Sequence, residues 1–280
     1  MLARLNYSLG TSSIKDQRAK KCSNFSRTII PHARPSVEIM TSSITWRTLH
    51  LSHLRAIIDL LESDQPLSKR QCCHTRSVLL RESVLCKKHF DLLQFLANNN
   101  TTCQTVRGNH DEVVLREYLR SRNSGYILAP KNAWIGKLSI DHIRFLQELP
   151  YTLSIPSLNT VLVHAGLVPG KGIEGTSIGE MVSMRNITIS DPWEEGGLQG
   201  TQKAVEGSVP WGSLWNGPAH IYFGHDAVRL MQQWPYCTGL DTGCVYGKSL
   251  TGIFIKGPKR GKVVSVKAHS VYQKPGAAAL

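Results

Sequence analysis

Of the 23 glycines in this chain, Gly10 alone precedes Gly108. That break constrains the fold more than any other feature. A tight turn at a strand end needs positive φ or close backbone approach, and glycine supplies both without steric cost. α/β proteins place binding and catalytic groups on such turns. Residues 11–107 therefore offer no glycine-cornered loop, and any site of that kind has to be assembled from Gly108 onward. The chain has 280 residues, 41% of them hydrophobic, enough for a sizeable core in one large domain or two small ones.

Hydrophobic spacing predicts helices over 46–61, 89–97, 111–120 and 141–149, the last capped by Asp141 or Ser139. Residues 63–76 read as loop. Short strands are expected at 103–107, 151–155, 160–164 and 220–223, with 151–155 and 160–164 paired through the turn 156–159. Segments 240–245, 250–255 and 263–266 read as a closing antiparallel run. No internal repeat is evident. The organisation expected is a basic, disordered leader over 1–45, one domain over 46–272 and a short tail over 273–280.

The formal net charge is +13. Residues 1–100 carry 15 Lys and Arg against 7 Asp and Glu. A basic chain suits anionic partners such as phosphorylated small molecules or polyphosphate. Neither a recognition helix nor an aromatic platform accompanies the charge, which argues against nucleic acid. There is no run of about 18 apolar residues to suggest a membrane span. Seven cysteines without a Cys-x-x-Cys pair argue against a disulfide framework or zinc knuckle and for a reducing compartment. The expected location is cytoplasmic. The basic, serine-rich first 35 residues leave a mitochondrial transit peptide as the alternative.

Three segments share one pattern, a short apolar strand followed by a sharp turn bearing a nitrogen or amide group. They are TVRGNHD (105–111), VLVHAGL (161–167) and IYFGHDA (221–227). A strand end projects the next side chain from the carboxyl edge of a sheet. Imidazole nitrogen and amide oxygen are suitable ligands for Zn, Mn or Fe. One such turn says little, because a histidine after a strand is commonly a polar cap, but three in chain order point to a shared centre.

With TGLDTGCVYG (238–247), SMRN (183–186) and PWGSLWNGP (210–218), these motifs resemble the calcineurin-like metallophosphoesterase superfamily. Within it they resemble the branch of symmetrical diadenosine tetraphosphate hydrolases and endopolyphosphatases more than protein serine/threonine phosphatases. The resemblance covers residues 89–272. It implies an α/β fold, a two-sheet sandwich flanked by helices. It implies a metal-dependent phosphoesterase acting on phosphate esters or anhydrides, dinucleoside polyphosphate or polyphosphate foremost. Asn109, His164 and His225 would be ligands of a divalent metal (Mn, Zn, Fe or Mg), and His110 the general acid. Arg107 and Arg229 are candidate phosphate contacts, with a structural pairing beneath the loop favoured for Arg107. Asp241 would either support a ligand histidine or form a turn. Asp111 reads as a helix cap and Cys244 as a small core residue.

The chain departs from the family at its N-terminal side. The family opens on a Gly-Asp-x-His-Gly loop and then a Gly-Asp loop, which supply the first metal and the bridging aspartate. No Gly-Asp dipeptide occurs here. The sandwich is accordingly expected to be incomplete at its start, with one metal site at most. Asp59, His74 and His89 are the nearest substitutes. The alternative function is an inactive phosphoesterase-like binding protein, or the product of an incomplete gene model.

Overall fold

The computed structural model describes residues 27–29, 37–42, 76–81, 103–189 and 197–273. A six-stranded mixed sheet runs in the order β1 (Arg27–Ile29), β5 (Thr152–Ile155), β6 (Thr160–Val163), β10 (His220–Phe223), β12 (Cys237–Gly239) and β11 (Gln232–Trp234). A five-stranded sheet runs β14 (Val263–Lys267), β13 (Ser249–Phe254), β2 (Val37–Ser42), β3 (Arg76–Arg81) and β4 (Cys103–Val106). The two sheets share a core in which Val106, Ile253 and Ile255 pack with Leu153, Leu162 and Leu240. This is the two-sheet α/β sandwich that the motifs imply.

The six-stranded sheet is covered on both faces. All four residues of β5 and of β6 are buried, as expected of a near-continuous apolar run in a central strand. Alternation divides β6: Leu162 joins the inter-sheet core, while Val161 and Val163 join a second core with Met181, Met184, Trp211 and Phe223. That second core lies under helices α3 (Gly172–Gly175) and α4 (Ile178–Ser183) and a small antiparallel sheet of β8 (Leu198–Thr201), β7 (Asn186–Ile189) and β9 (Val209–Pro210). The antiparallel β5–β6 pair turns through Pro156–Leu158 and Asn159. Asn159 sits at φ +46°, a conformation asparagine tolerates better than most residues.

Helix α1 (Asn109–Arg120) starts two residues earlier than its apolar spacing predicts. The Gly108 N–H donates to the Asp111 carboxylate at 3.0 Å, so Asp111 is the cap and Asn109 opens the first turn. Val114, Leu115 and Tyr118 pack against Ile143 and Leu146 of α2 (Ile140–Glu148). The α2 cap is Ser139, whose hydroxyl accepts from the His142 N–H at 3.3 Å.

Three expectations change. Residues 240–245 are not a strand: β12 ends at Gly239, and the chain then enters a 3-10 turn at Cys244–Tyr246. The Asp241 carboxylate accepts from the Gly243 N–H at 3.0 Å, and Gly243 takes φ +69°, which ends the extended path. Nor do the last strands form one antiparallel run, because β12 is parallel to β10 in the six-stranded sheet while β13 and β14 pair in the other. Finally, β1 and β2 arise from residues assigned to the leader, and β2 and β3 fill the positions between β13 and β4, with Ile39 level with Ile253 and Val106 level with Leu80. The N-terminal side therefore supplies strands to both sheets, and the Gly-Asp dipeptides absent from the sequence remain its departure from the family pattern. The expected helices 46–61 and 89–97, and Asp59, His74 and His89, lie outside the described residues.

Candidate metal centre

All three strand-turn motifs open onto one place, where the carboxyl ends of both sheets meet. Asn109 and His110 follow β4 of the five-stranded sheet, and His164 and His225 follow β6 and β10 of the other. The Gly224 N–H donates to the His164 carbonyl at 2.9 Å, tying two of the motif loops together. His164 Nε2 lies 3.1 Å from Asn109 Oδ1. The His164 and His225 rings are 5.1 Å apart and tilted by 57°. Both histidines are buried, and Asn109 and His110 are half-buried at the mouth. In VHAGL the glycine is obligatory. A Cβ on Gly166 would stand 2.6 Å from Met184 and Trp211 side-chain atoms.

His225 adopts φ +68°, a conformation that costs a residue with a Cβ about 1–3 kcal/mol and collects at functional sites. Its Nε2 is 3.0 Å from the Ser183 carbonyl at the end of α4. A carbonyl oxygen only accepts, so Nε2 carries the hydrogen of that bond. A backbone carbonyl commonly sets a metal-ligating imidazole in this way. The donor types suit a divalent cation. They are an imidazole held by the Ser183 carbonyl, a second imidazole, and an amide oxygen already close to that second ring. All three donors are neutral. Among the described residues no group of three or more His, Cys, Asp or Glu side chains comes together.

The two candidate arginines are held elsewhere. Arg107 donates to the Glu112 carboxylate at 3.0 Å, the Tyr151 hydroxyl at 2.8 Å and the Gln147 carbonyl. Burial alone would lower its pKa, but Tyr151 and Glu112 outweigh that and raise it. It is a brace beneath the RGNH turn. Arg229 donates to the Asp226 carboxylate and the Asn186 side-chain oxygen, so it fixes the loop behind His225. Asp241 forms the turn described above, which fixes the chain leaving β12. Cys244 is buried, and burial followed by the Asp241 charge pushes its thiol up to about 12, which makes it a core residue.

One residue beside the site was not singled out from the sequence. Arg185, in the SMRN segment, lies 3.4 Å from the His225 carbonyl and 3.7 Å from Asp226. Both contacts are long, and its side chain is 25% exposed. The SMRN motif was itself the signal. What it could not show is that the turn leaving α4 reaches His225, 40 positions away.

No protein-family profile matches the chain. It is 24% identical over 203 residues to a zinc-dependent endopolyphosphatase of Saccharomyces cerevisiae, covering 59% of this chain and 61% of that protein. The match thus spans about three fifths of that relative's length. It is 26% identical over 227 residues to a symmetrical bis(5'-nucleosyl)-tetraphosphatase of Coxiella burnetii, covering 61% of this chain and 75% of the relative. A crystal structure assigned as a diadenosine tetraphosphatase superposes with a TM-score of 0.67 at 27% identity, covering 87% of this chain and 98% of that one. With the sandwich fold and the convergence of Asn109, His164 and His225, these likenesses support a metallophosphoesterase branch for the chain, similar to endopolyphosphatases and symmetrical dinucleoside tetraphosphatases.

Proposed function

We propose that this chain is a metal-dependent hydrolase of phosphoanhydride bonds in polyphosphate or dinucleoside polyphosphates. The observation that carries this reading is the meeting of His164 Nε2 and Asn109 Oδ1 at 3.1 Å beside a His225 ring fixed by the Ser183 carbonyl. Asn109, His164 and His225 would hold one divalent cation. Bound there, it would draw charge from the phosphoryl oxygens and acidify an attacking water. His110, next to Asn109 at the start of α1, donates the proton that the departing phosphate oxygen needs. The amino end of α1 favours anionic groups at that position. Arg185 takes the phosphate-contacting role in place of Arg229, because its long contacts leave it able to swing onto a phosphoryl oxygen.

The second reading, a binding protein without turnover, is favoured by the absence of any Gly-Asp turn from the sequence and by the neutral donor set. One experiment separates the two. The purified chain is loaded with Mn, Zn or Mg, its bound metal is counted, and polyphosphate and p-nitrophenyl phosphate are offered. A hydrolase should show turnover that His110→Ala lowers by about 10²–10⁴-fold while metal content stays the same. Metal binding without turnover would sink the hydrolase and leave the binding protein.

A further inference from the structure

From Thr242 to Leu280 the sequence has seven Lys and Arg residues and neither Asp nor Glu. Four of them, Lys256, Lys259, Arg260 and Lys262, occupy the turn between β13 and β14. β14 is the outer strand of its sheet. The turn is closed by hydrogen bonds from Gly261 N to the Phe254 carbonyl at 2.8 Å, Arg260 N to Gly257 at 3.1 Å and Lys262 N to Lys259 at 2.9 Å. Lys259 Nζ stands 5.4 Å from the centre of the Phe254 ring. Arg260 and Lys262 are exposed, and Lys256 and Lys259 half-exposed. The cations are therefore presented on a defined scaffold. In the sheet register Phe254 of β13 is level with Glu38 of β2.

The turn is remote from the metal centre. β13 is antiparallel to β2, which is parallel to β3 and β4. The β13–β14 turn thus lies at the amino ends of those strands, whereas Asn109 follows the carboxyl end of β4. In the other sheet Arg260 comes near His220 and Tyr222, at the start of β10, while His225 lies beyond its far end. The strand His220–Phe223, roughly 10 Å long, and the turn after it separate the two histidines.

We propose that the β13–β14 turn anchors a linear polyphosphate chain at a distance from the scissile bond. Four clustered cations without a carboxylate on their own element attract a repeating phosphate and release its counterions. Single-stranded nucleic acid is the competing polyanion, and its sequence-tolerant binding relies on exposed aromatic platforms. The turn carries no aromatic residue, and the neighbouring Tyr222 and His220 are half-buried. The choice of polyphosphate rests on the reading of this chain as acting on phosphate polymers.

The test measures binding without turnover. Long-chain polyphosphate and tripolyphosphate are titrated against the full chain and its K256Q/K259Q/R260Q/K262Q variant at several salt concentrations. The variant should bind the long chain at least about tenfold more weakly, with the slope of log K against log salt reduced by about 3. Tripolyphosphate, too short to reach both places, should bind both proteins alike. The exposed pair alone, R260Q/K262Q, should give about half the change in slope. Long-chain binding with unchanged affinity and slope in the fourfold variant overturns the proposal. So does an equally tight fit for a single-stranded oligonucleotide of matched charge. A chain that binds polyphosphate through this turn yet never cleaves it would refute the hydrolase and leave the anchor standing.

Discussion

Two arginines flank His225 and differ in how they are held. Arg229 places donors on Asp226 and Asn186, and Asp226 is 3% exposed. Removing that guanidinium strips a buried carboxylate of its closest partner, which leaves a desolvated charge only partly compensated by Arg185 and Gln232. Arg229→Ala should therefore destabilise the fold by roughly 2–3 kcal/mol, read as a lower midpoint in urea. Arg185 makes only long contacts, so Arg185→Ala should leave that midpoint within about 0.5 kcal/mol. If the residue touches phosphate, as proposed, kcat/KM should still fall at least about tenfold. A large loss of stability in Arg185→Ala would show that it too is a brace. Sequence alone singles out Arg229 and passes over Arg185, because an arginine four residues after a candidate ligand histidine looks better placed than one forty residues before it. The difference lies in the acceptors each one finds, which only the packed structure reveals.

The elements that were legible in the sequence are those punctuated by their own residues. The β5–β6 pair is bracketed by Pro156 and Asn159, α2 is opened by Ser139, and β10 is an apolar run that stops at Gly224. The β7–β9 sheet was not legible. Its strands are four, four and two residues long, and LQGT and VP lack a period. What holds this sheet to the site is Glu180 of α4. Its carboxylate accepts from the N–H groups of Gly200 in β8, at 2.9 Å, and of Ser177, at 2.9 Å, and from the Ser177 hydroxyl. Burial would raise the Glu180 pKa, but these donors outweigh it and lower it from 4.5. The folded state thus prefers the carboxylate more than the unfolded chain does. Its contribution is complete at neutral pH and is lost as pH falls below about 4.5. Glu180→Gln should cost about 1 kcal/mol at pH 7, solvent screening included. The gap between variant and parent should close toward pH 3 in acid-unfolding curves, and a gap that stayed constant with pH would rule out the ionised form as the source of the effect.

At the scale of the whole molecule, the candidate centre draws its donors from two sheets that share an apolar core. Asn109 is carried by the five-stranded sheet, and His164 and His225 by the six-stranded one. Each candidate donor could be picked out in the sequence because a strand followed by a glycine turn is a local signal. The way the donors meet could not, because it depends on how the sheets face each other through Val106, Leu162 and Ile253. A cation held by these three residues, as proposed, would bind the folded chain and not the unfolded one, so it would raise stability by mass action. At a free metal concentration about 100 times its Kd the gain is about 2.7 kcal/mol, which for a chain of this size raises Tm by several degrees. The gain should grow with the logarithm of metal concentration, with one cation bound per chain at saturation. His225→Ala should abolish it. Asn109→Ala should reduce it while leaving both imidazoles in place, because the amide oxygen is the donor from the opposite sheet. If the cation sat instead on scattered surface carboxylates, both variants would keep the full metal-dependent rise in Tm, and a scanning calorimeter would separate the two cases in a single metal titration.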